Sequence, residues 1–257
     1  MKSERVYIGT SGWIYKDWAK NFYPKDWPAR RNLEYYVSQF PTVEINASFY
    51  RLPTEKAFQD WTRNATPQFL FALKGSRAVT HYKRLLPGAK SFHILLERSK
   101  ILGTHLGPIL WQLPGSFRKD LSRLEQFLAI LPRENLHAME FRHASWMDDK
   151  TLALLSEYQV ANVSLSSQSM PMCTELTAPF AYVRFHGLEN GAAHDYTREE
   201  LEPWANFLQR IAREGSKAFV YFNNDVNTRA PLNALTLMQE VGEFAVRATA
   251  LNKTYNP

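Results

Sequence analysis

The 257-residue sequence is poor in cysteine and contains no long hydrophobic run. Its one cysteine, Cys173, excludes an intramolecular disulfide and a thiolate metal cluster, in keeping with a reducing compartment. No apolar stretch approaches the roughly 18 to 20 residues that a membrane-spanning helix needs. The amino-terminal MKSERVYIG enters a strand-like run too early to hold a signal-peptide core. We therefore expect a cytoplasmic protein that does not contact a membrane.

The sequence also lacks a segregated charge pattern and a flexible linker. It contains 31 Lys and Arg against 25 Asp and Glu, for a net charge of +6, but the cations are spread along the chain, usually with acids close by. A solvated surface explains this distribution better than a nucleic-acid interface, and predicts only weak, salt-dependent attraction to an oligonucleotide. No Gly/Ser-rich segment or composition shift divides the chain, so we expect one domain over residues 1–257.

Eight short apolar or β-branched runs indicate eight strands: RVYIGT, TVEIN, FLFALK, GPILWQL, HAMEFR, VANVSL, FAYVRFHG and KAFVYFNND. Between them, apolar side chains recur with helical spacing at Leu33, Tyr36, Val37 and Phe40, at Phe92, Leu95 and Leu96, at Leu121, Leu124, Phe127, Leu128 and Leu131, and at Leu201, Trp204, Leu208 and Ile211. This alternation predicts a single (β/α)8 barrel of the TIM type. Between strands six and seven, SSQSMPMCTELTAP has two prolines and no apolar period, so an irregular loop is expected to replace a helix.

The stretch TVEINASFYRLP, Thr42 to Pro53, places a carboxylate and an amide inside a β-branched run. Successive side chains of a strand point to opposite faces, so Val43 and Ile45 share one face while Glu44 and Asn46 share the other. In isolation this is also the pattern of an amphipathic edge strand. In a barrel, however, the second face points inward, and its positions at the carboxyl end of the strand open into the mouth where active sites lie.

The same alternation recurs at the ends of the other predicted strands. Polar residues take the inward phase at Lys74, Gln112, Glu140, Arg142, Arg184, His186 and Asn223. Each one alone is compatible with a satisfied buried group or a surface face, but their repetition predicts one polar cavity at the mouth. Burying charges costs several kcal/mol per ion unless they are paired, so a purely structural ion-pair network is the alternative to a functional site.

Several longer motifs are spread over nearly the whole chain: GTSGWIYKDW, FYP, TVEINASFYRLP, FLFALKGSRAVTH, LGPILWQLP, MEFRHASW, YVRFHG and YFNND. Their combination resembles the YecE-like proteins of domain-of-unknown-function family 72. The resemblance implies a (β/α)8 barrel and brings no established activity. It also implies site positions at Trp13, Glu44, Asn46, Tyr50, Lys74, His81, Gln112, Glu140, Arg142, His143, Arg184 and His186.

Two carboxylates on separate strands suit general acid-base catalysis when their surroundings push their pKa values apart. Arg142 shares the predicted face of Glu140, so we expect it to hold Glu140 ionised. Glu44, beside the neutral Asn46, is then expected to be the titrating carboxyl. Together with His186, these two carboxylates are the predicted catalytic residues.

The cations of the mouth suit binding of a carboxylate or phosphate. Arg184 is expected to lack a protein partner of its own, so replacing it with Met should change stability by less than about 1 kcal/mol. Trp13, Phe49, Tyr50 and Trp146 follow strand ends, where such rings either stack on a ligand or pack the loops. The predicted ligand-binding residues are Trp13, Asn46, Tyr50, Lys74, His81, Gln112, Arg142, His143, Arg184, Asn223 and Asp225.

Other chemistries fit the sequence less well. A metal would have Glu44, Glu140, His186 and Asp225 as ligands, but HExxH and paired-histidine spacings are missing and three cations oppose a dication. GTSGW lacks the glycine spacing of phosphate- and dinucleotide-binding loops, and its Ser11 is more simply part of a tight turn than a nucleophile. We therefore expect neither a metal nor an organic cofactor.

The sequence thus predicts an acid-base enzyme that acts on a small polar molecule, either anionic or sugar-like. It does not rank hydrolase, lyase and isomerase, and it leaves the oligomeric state open. The rival hypothesis is a nucleic-acid-associated protein whose barrel mouth captures one nucleotide. Cations clustered around the mouth would favour the rival, whereas scattered cations favour the enzyme.

Overall fold

The computed structural model describes residues 5–249, so both ends of the expected domain, residues 1–4 and 250–257, lie outside the described part. Eight parallel strands close into a barrel in chain order, which confirms the predicted (β/α)8 architecture. The strands are β1 (Val6–Thr10), β2 (Thr42–Ile45), β3 (Leu70–Lys74), β4 (Leu106–Gln112), β5 (His137–Glu140), β6 (Ala161–Ser167), β7 (Phe180–Gly187) and β8 (Lys217–Phe222).

Helices follow the strands around the outside of the barrel. Within residues 5–249 the α-helices are α1 (Trp18–Asn21), α2 (Asn32–Gln39), α3 (Ala47–Tyr50), α4 (Glu55–Arg63), α5 (Lys90–Ser99), α6 (Leu121–Ala129), α7 (Asp149–Glu157), α8 (Arg198–Arg213) and α9 (Arg229–Val241). Helices α2, α5, α6 and α8 are those that the apolar spacing predicts. Residues 168–179, between β6 and β7, contain no helix, as the prolines indicated. None of the described helices is long and apolar enough to cross a membrane.

Side-chain caps fix where four of these helices begin. Thr54, Asp120, Asp148 and Thr197 each accept a hydrogen bond from the backbone N–H three residues later. At Thr197 the Glu200 side chain also accepts from the Thr197 backbone N–H, which completes a capping box. Because such caps satisfy otherwise unpaired donors, they define the ends of the loops that precede α4, α6, α7 and α8.

The strands separate two apolar cores. Outward side chains, among them Val183 and Phe185 of β7, pack in the layer between strands and helices. Inward side chains form a second cluster inside the barrel, to which Ala72, Tyr182 and Tyr221 belong. The predicted alternation of the strands is therefore confirmed, and the inward rows continue into polar side chains toward the carboxyl ends.

A glycine allows β1 and β2 to approach closely beneath the mouth. A Cβ atom at Gly9 would lie 2.1 Å from the carbonyl oxygen of Thr42. In this seam the buried hydroxyl of Tyr36 accepts from the Thr10 backbone N–H at 2.9 Å and donates to the Thr42 carbonyl at 3.0 Å. The close contact between β1 and β2 therefore requires a residue without a side chain on β1.

Replacing Gly9 with Ala should lower the free energy of unfolding by about 1–3 kcal/mol, because the new methyl group collides with backbone that cannot move independently. Urea unfolding measures this loss. Gly115→Ala is the matched control, because Gly115 is exposed and the nearest atom to its new Cβ would be the Arg142 carbonyl oxygen at 3.2 Å. That control should lose less than about 1 kcal/mol, because the carbonyl of Arg142 needs to move by only a few tenths of an ångström. Equal losses in the two variants would contradict the close approach of β1 and β2.

Candidate active site

A buried arginine joins two buried carboxylates at the centre of the barrel mouth. Arg184 of β7 donates from Nη2 to Oε1 of Glu44 at 2.7 Å and from Nη1 to Oε2 of Glu140 at 2.6 Å. None of these three side chains is more than 1% exposed. The expectation that Arg184 has no partner is therefore wrong, because inward side chains of β2, β5 and β7 meet across the barrel and not only along one strand.

Glu44 is also held by two neutral donors. Ser11, which follows β1, donates to Oε1 at 2.7 Å, and Tyr182 donates to Oε2 at 2.6 Å. Burial opposes the charge, but Arg184, Lys74 and the two hydroxyls outweigh it and hold the pKa of the carboxyl below its ordinary value. The expectation that Glu44 is the titrating carboxyl is therefore wrong, since it overlooked the guanidinium that reaches it from β7.

Glu140 is paired on its second oxygen by Arg142, as the sequence predicted. Arg142 donates from Nε to Oε1 of Glu140, and its Nη2 lies 2.6 Å from Nε2 of His186. Burial opposes ionisation of Glu140, but Arg184 and Arg142 hold its pKa well below the ordinary value. Burial and Arg184 lower the pKa of His186 to about 4. At neutral pH both carboxylates are thus charged and the imidazole is neutral.

Lys74, at the end of β3, is the cation of the mouth that has no carboxylate partner in the described part of the chain. Among residues 5–249 its ammonium group makes no ion pair and no hydrogen bond, and it lies 4.5 Å from the centre of the Phe49 ring. Burial lowers the pKa of Lys74 to about 8, and the charge of Arg184 adds to this effect, whereas Glu140 and Glu44 oppose it. The amine therefore gives up its proton much closer to neutral pH than an ordinary lysine.

These residues form one cluster, which we call the mouth cluster: Glu44, Lys74, Glu140, Arg142, Arg184 and His186. It holds three cations and two carboxylates, and its net charge below pH 8 is therefore positive. The side chains of Arg142 and His186 are 21% and 12% exposed, so this edge of the cluster faces solvent. The arrangement favours the approach of an anion.

Two further predicted residues lie beside the mouth cluster. Gln112 is the register partner of Glu140 in the pairing of β4 with β5. Asn223, directly after β8, has its Nδ2 3.2 Å from Nδ1 of His186. In the described part of the chain, no group of three or more His, Cys, Asp and Glu is arranged to hold a metal ion.

A cavity of about 350 Å3 adjoins the mouth cluster at the ends of β1 and β2. Ser11 belongs both to its wall and to the shell of Glu44, so cavity and cluster are neighbours. Asn46 donates from Nδ2 to the Ser11 carbonyl at 3.4 Å, while its Oδ1 is buried with no partner among the described residues. The remaining wall is largely apolar and consists of Gly12, Trp13, Ile14, Tyr15, Ile45, Ala47 and Trp61.

Four other residues predicted to bind ligand lie outside both the mouth cluster and the cavity wall. Tyr50 is 68% exposed on the rim, and His81 packs edge-on against Phe49 with ring centres 4.9 Å apart. His143 accepts at Nδ1 from the Ser145 backbone N–H and so shapes the turn after β5. Asp225 lies beyond β8 without an ion pair in the described structure, and burial raises its pKa.

One aromatic residue after a strand end belongs to the core and not to the rim. Trp146 is fully buried, stacks on Phe141, and donates from its indole to the Phe117 carbonyl at 2.7 Å. For this residue the packing alternative is correct.

Two residues that hold Glu44 in place, Tyr182 and Ser11, are not among the site residues predicted from the sequence. Tyr182 precedes Arg184 by two positions in β7, so the period-2 alternation already places its hydroxyl on the inward face. Ser11 gave no comparable signal, because it follows the end of β1 in a turn. Both donate to Glu44, and their role became visible only when the strands were brought together.

Comparison with known proteins gives one family and several relatives. The model of a family described as protein of unknown function DUF72 matches residues 7–255. The UPF0759 protein YunF of Bacillus subtilis is 24% identical, over 91% of this chain and 94% of its own length. A solved DUF72 family protein of Thermotoga maritima is 28% identical, with a TM-score of 0.81 over 92% of this chain and 98% of that chain. A DUF72 family protein of Enterococcus faecalis shares the fold at 19% identity, with a TM-score of 0.79 over 98% of this chain and 100% of its own.

Arg184→Met should lower the free energy of unfolding by about 3–5 kcal/mol at pH 7, because it leaves two buried carboxylates without their common partner. In the wild type, lowered pKa values make these carboxyls stabilise the fold at neutral pH, and this contribution is lost as the pH falls through the folded-state values. In the variant Glu44 loses its ion-pair partner and Glu140 keeps only Arg142, so the pKa values of both carboxyls should rise and acid should neutralise Glu44 first. The deficit relative to wild type should therefore be smaller at pH 5 than at pH 7.

Lys74→Met is the matched control in the same mouth. It also replaces a cation by Met, but it removes no ion pair, so the free energy of unfolding should change by less than about 1 kcal/mol. Urea unfolding of both variants at the two pH values makes the comparison. Similar losses for Arg184→Met and Lys74→Met would show that Arg184 is not the partner on which both carboxylates depend.

Proposed function

This chain belongs to the DUF72 family of proteins of unknown function, and from the geometry of its barrel mouth we propose that it is an enzyme. The proposed enzyme binds a small anionic molecule at the mouth and acts on it by acid-base chemistry. The proposal needs no metal and no organic cofactor.

The observation that carries this proposal is the excess positive charge of the mouth cluster. Glu44 and Glu140 both accept hydrogen bonds from Arg184, and Glu140 also accepts one from Arg142. Neither carboxylate therefore remains to neutralise Lys74. A partly buried cation without an ion-pair partner among the described residues is costly, and an anionic ligand is the group that would compensate it. An anionic ligand fits this charge better than a neutral sugar.

In this proposal the residues of the mouth cluster divide into two groups. Lys74 and the exposed edge of Arg142 bind the anion, and Lys74 moves the proton because its pKa of about 8 lies near neutral pH. Arg184, Glu44 and Glu140 position the cluster, since their mutual ion pairs fix their charges. This assignment moves proton transfer from the two carboxylates to the lysine.

The neighbouring cavity supports a ligand that is larger than a bare anion. Trp13 and Trp61 in its wall offer apolar surface, and the unpartnered Oδ1 of Asn46 offers one hydrogen-bond acceptor. A molecule with its anionic group at Lys74 would place an apolar or hydroxyl-bearing part there. Pockets of this composition are typical of small-molecule sites.

A second candidate function, association with nucleic acid, is favoured by one observation. The loops after β3 and β4 form what we call the basic rim, which carries Arg77, Lys83, Arg84, Arg118 and Lys119 and no acid in residues 75–89 or 113–119. Arg84 lies within 3.3 Å of Ser116 and so joins the two loops. Cations on one side of the barrel mouth, beside the exposed rings of Tyr50 and Tyr82, are suited to binding single-stranded nucleic acid.

Isothermal titration calorimetry tests the proposed site with two anions. These are inorganic phosphate and lactate, a carboxylate that has no aldehyde or ketone group. Lys74→Met should weaken the binding of both anions about tenfold or more, since a hydrogen bond to a charged group contributes about 1.5–3 kcal/mol. Lys100→Met is the control, because it removes the same charge from an exposed side chain before β4, at the opposite end of the barrel. It should leave both affinities unchanged.

Equal affinities in the Lys74 and Lys100 variants would contradict an anion site at the mouth cluster. A single-stranded oligonucleotide in the same titration separates the two functions. If it binds tightly at physiological salt, and equally to wild type and Lys74→Met, the basic rim and not the mouth cluster holds the ligand.

A further inference from the structure

We propose that Lys74 is a nucleophile that forms an imine with a small aldehyde or ketone bearing a carboxylate or phosphate group. This inference rests on the proposed function and names the substrate class of the same site. It starts from the placement of the amine: at a strand end in the mouth, over an aromatic ring, and without a carboxylate partner among the described residues.

The surroundings of Lys74 distinguish it from a lysine that serves as a structural charge. A structural lysine is normally neutralised by a nearby carboxylate, but Glu44 and Glu140 accept from Arg184 and Arg142 instead. On the other side of Lys74, the Phe49 ring lies over the ammonium group. His81 packs against the same ring in an edge-on contact. The amine is thus partly shielded from water and makes no ion pair with a carboxylate of the described residues, while it remains at the open end of the barrel.

These neighbours also keep part of the amine unprotonated near neutral pH. Burial disfavours the ammonium form most, Arg184 and Arg142 add to this effect, and Glu140 and Glu44 only partly oppose it. Burial and the charge of Lys74 also lower the pKa of the nearby His81. With a pKa of about 8, on the order of one-tenth of the lysine is free amine at pH 7. Amines in such desolvated, cationic surroundings are activated nucleophiles.

The bond changes balance without an oxidant or a reductant. The lone pair of Nζ attacks the carbonyl carbon and forms a C–N bond, while the carbonyl π electrons move to oxygen and one proton passes from nitrogen to that oxygen, which gives a neutral carbinolamine. A proton from solvent then converts the hydroxyl group to water, which leaves with the C–O electron pair while the lone pair of Nζ forms the C=N bond. The product is a protonated imine on Nζ and one molecule of water.

The anionic group of the substrate explains the cations beside the lysine. Arg142, with its partly exposed side chain, and the net charge of the mouth cluster would hold a carboxylate or phosphate next to the amine. A protonated imine withdraws electrons from the neighbouring carbon, which eases removal of a proton or cleavage of a bond there. The inference therefore favours a lyase or an isomerase over a hydrolase.

Reductive trapping with glyoxylate and cyanoborohydride tests this inference on the whole protein. Glyoxylate carries an aldehyde beside a carboxylate, so reduction of its imine leaves a carboxymethyl group on the lysine, which peptide mass spectrometry locates. Lys74 should be modified at glyoxylate concentrations at least about tenfold below those needed for exposed lysines such as Lys100, because its lower pKa frees far more amine. Acetaldehyde, which has no anionic group, should show a much smaller preference for Lys74.

Modification of Lys74 no faster than Lys100 would overturn the inference, and an equal preference with acetaldehyde would overturn the anionic substrate class. Lys74→Arg keeps the positive charge but removes the primary amine, so the preferred modification should disappear in that variant. If wild type binds lactate at the mouth and yet no imine is trapped, the imine is wrong and the proposed anion site stands. If neither lactate nor phosphate binds, the proposed function itself fails.

Discussion

The double ion pair of Arg184 with Glu44 and Glu140 is the interaction on which the rest of the barrel mouth depends. It occupies both buried carboxylates with one guanidinium, and its 2.6 and 2.7 Å contacts leave neither acid free to serve a second cation deep in the barrel. Arg142 then closes the remaining oxygen of Glu140 from the solvent side. Lys74 is consequently left as a partly shielded amine, and this gives the site its net positive charge.

The fold lowers the free-energy cost of burying this charged network by supplying neutral hydrogen-bond donors around it. Ser11 donates to Glu44 from the turn after β1 and Tyr182 donates to it from within β7, so with Arg184 the carboxylate has three hydrogen bonds in place of water. The close approach of β1 and β2 at Gly9 belongs to the same arrangement, since it brings the end of β1 beside Glu44. A polar centre of this kind needs strands on several sides, which a closed barrel provides.

Much of the fold was predictable because strand alternation is a local property. The phase of β5 and β7 correctly placed Glu140, Arg184 and His186 inward, and the prolines after β6 correctly marked a unit without a helix. The pairing of Arg184 with Glu44 was not predictable, because phase fixes the face of a side chain but not which residues meet across the barrel. Loop residues such as His143 have no period, so their distance from the mouth cluster required the structure.

The central claim is that Lys74 keeps a partly buried amine without a carboxylate partner within residues 5–249. Nitrogen NMR of 15N-labelled lysine side chains, titrated from pH 6 to 12, tests it directly, with the Lys74 signal identified by its absence in Lys74→Arg. The account predicts that Lys74 titrates with a pKa of about 8, well below the ordinary lysine value of 10.5. If Lys74 instead titrates near the ordinary lysine value of 10.5, the amine is an ordinary charged group and the account is wrong.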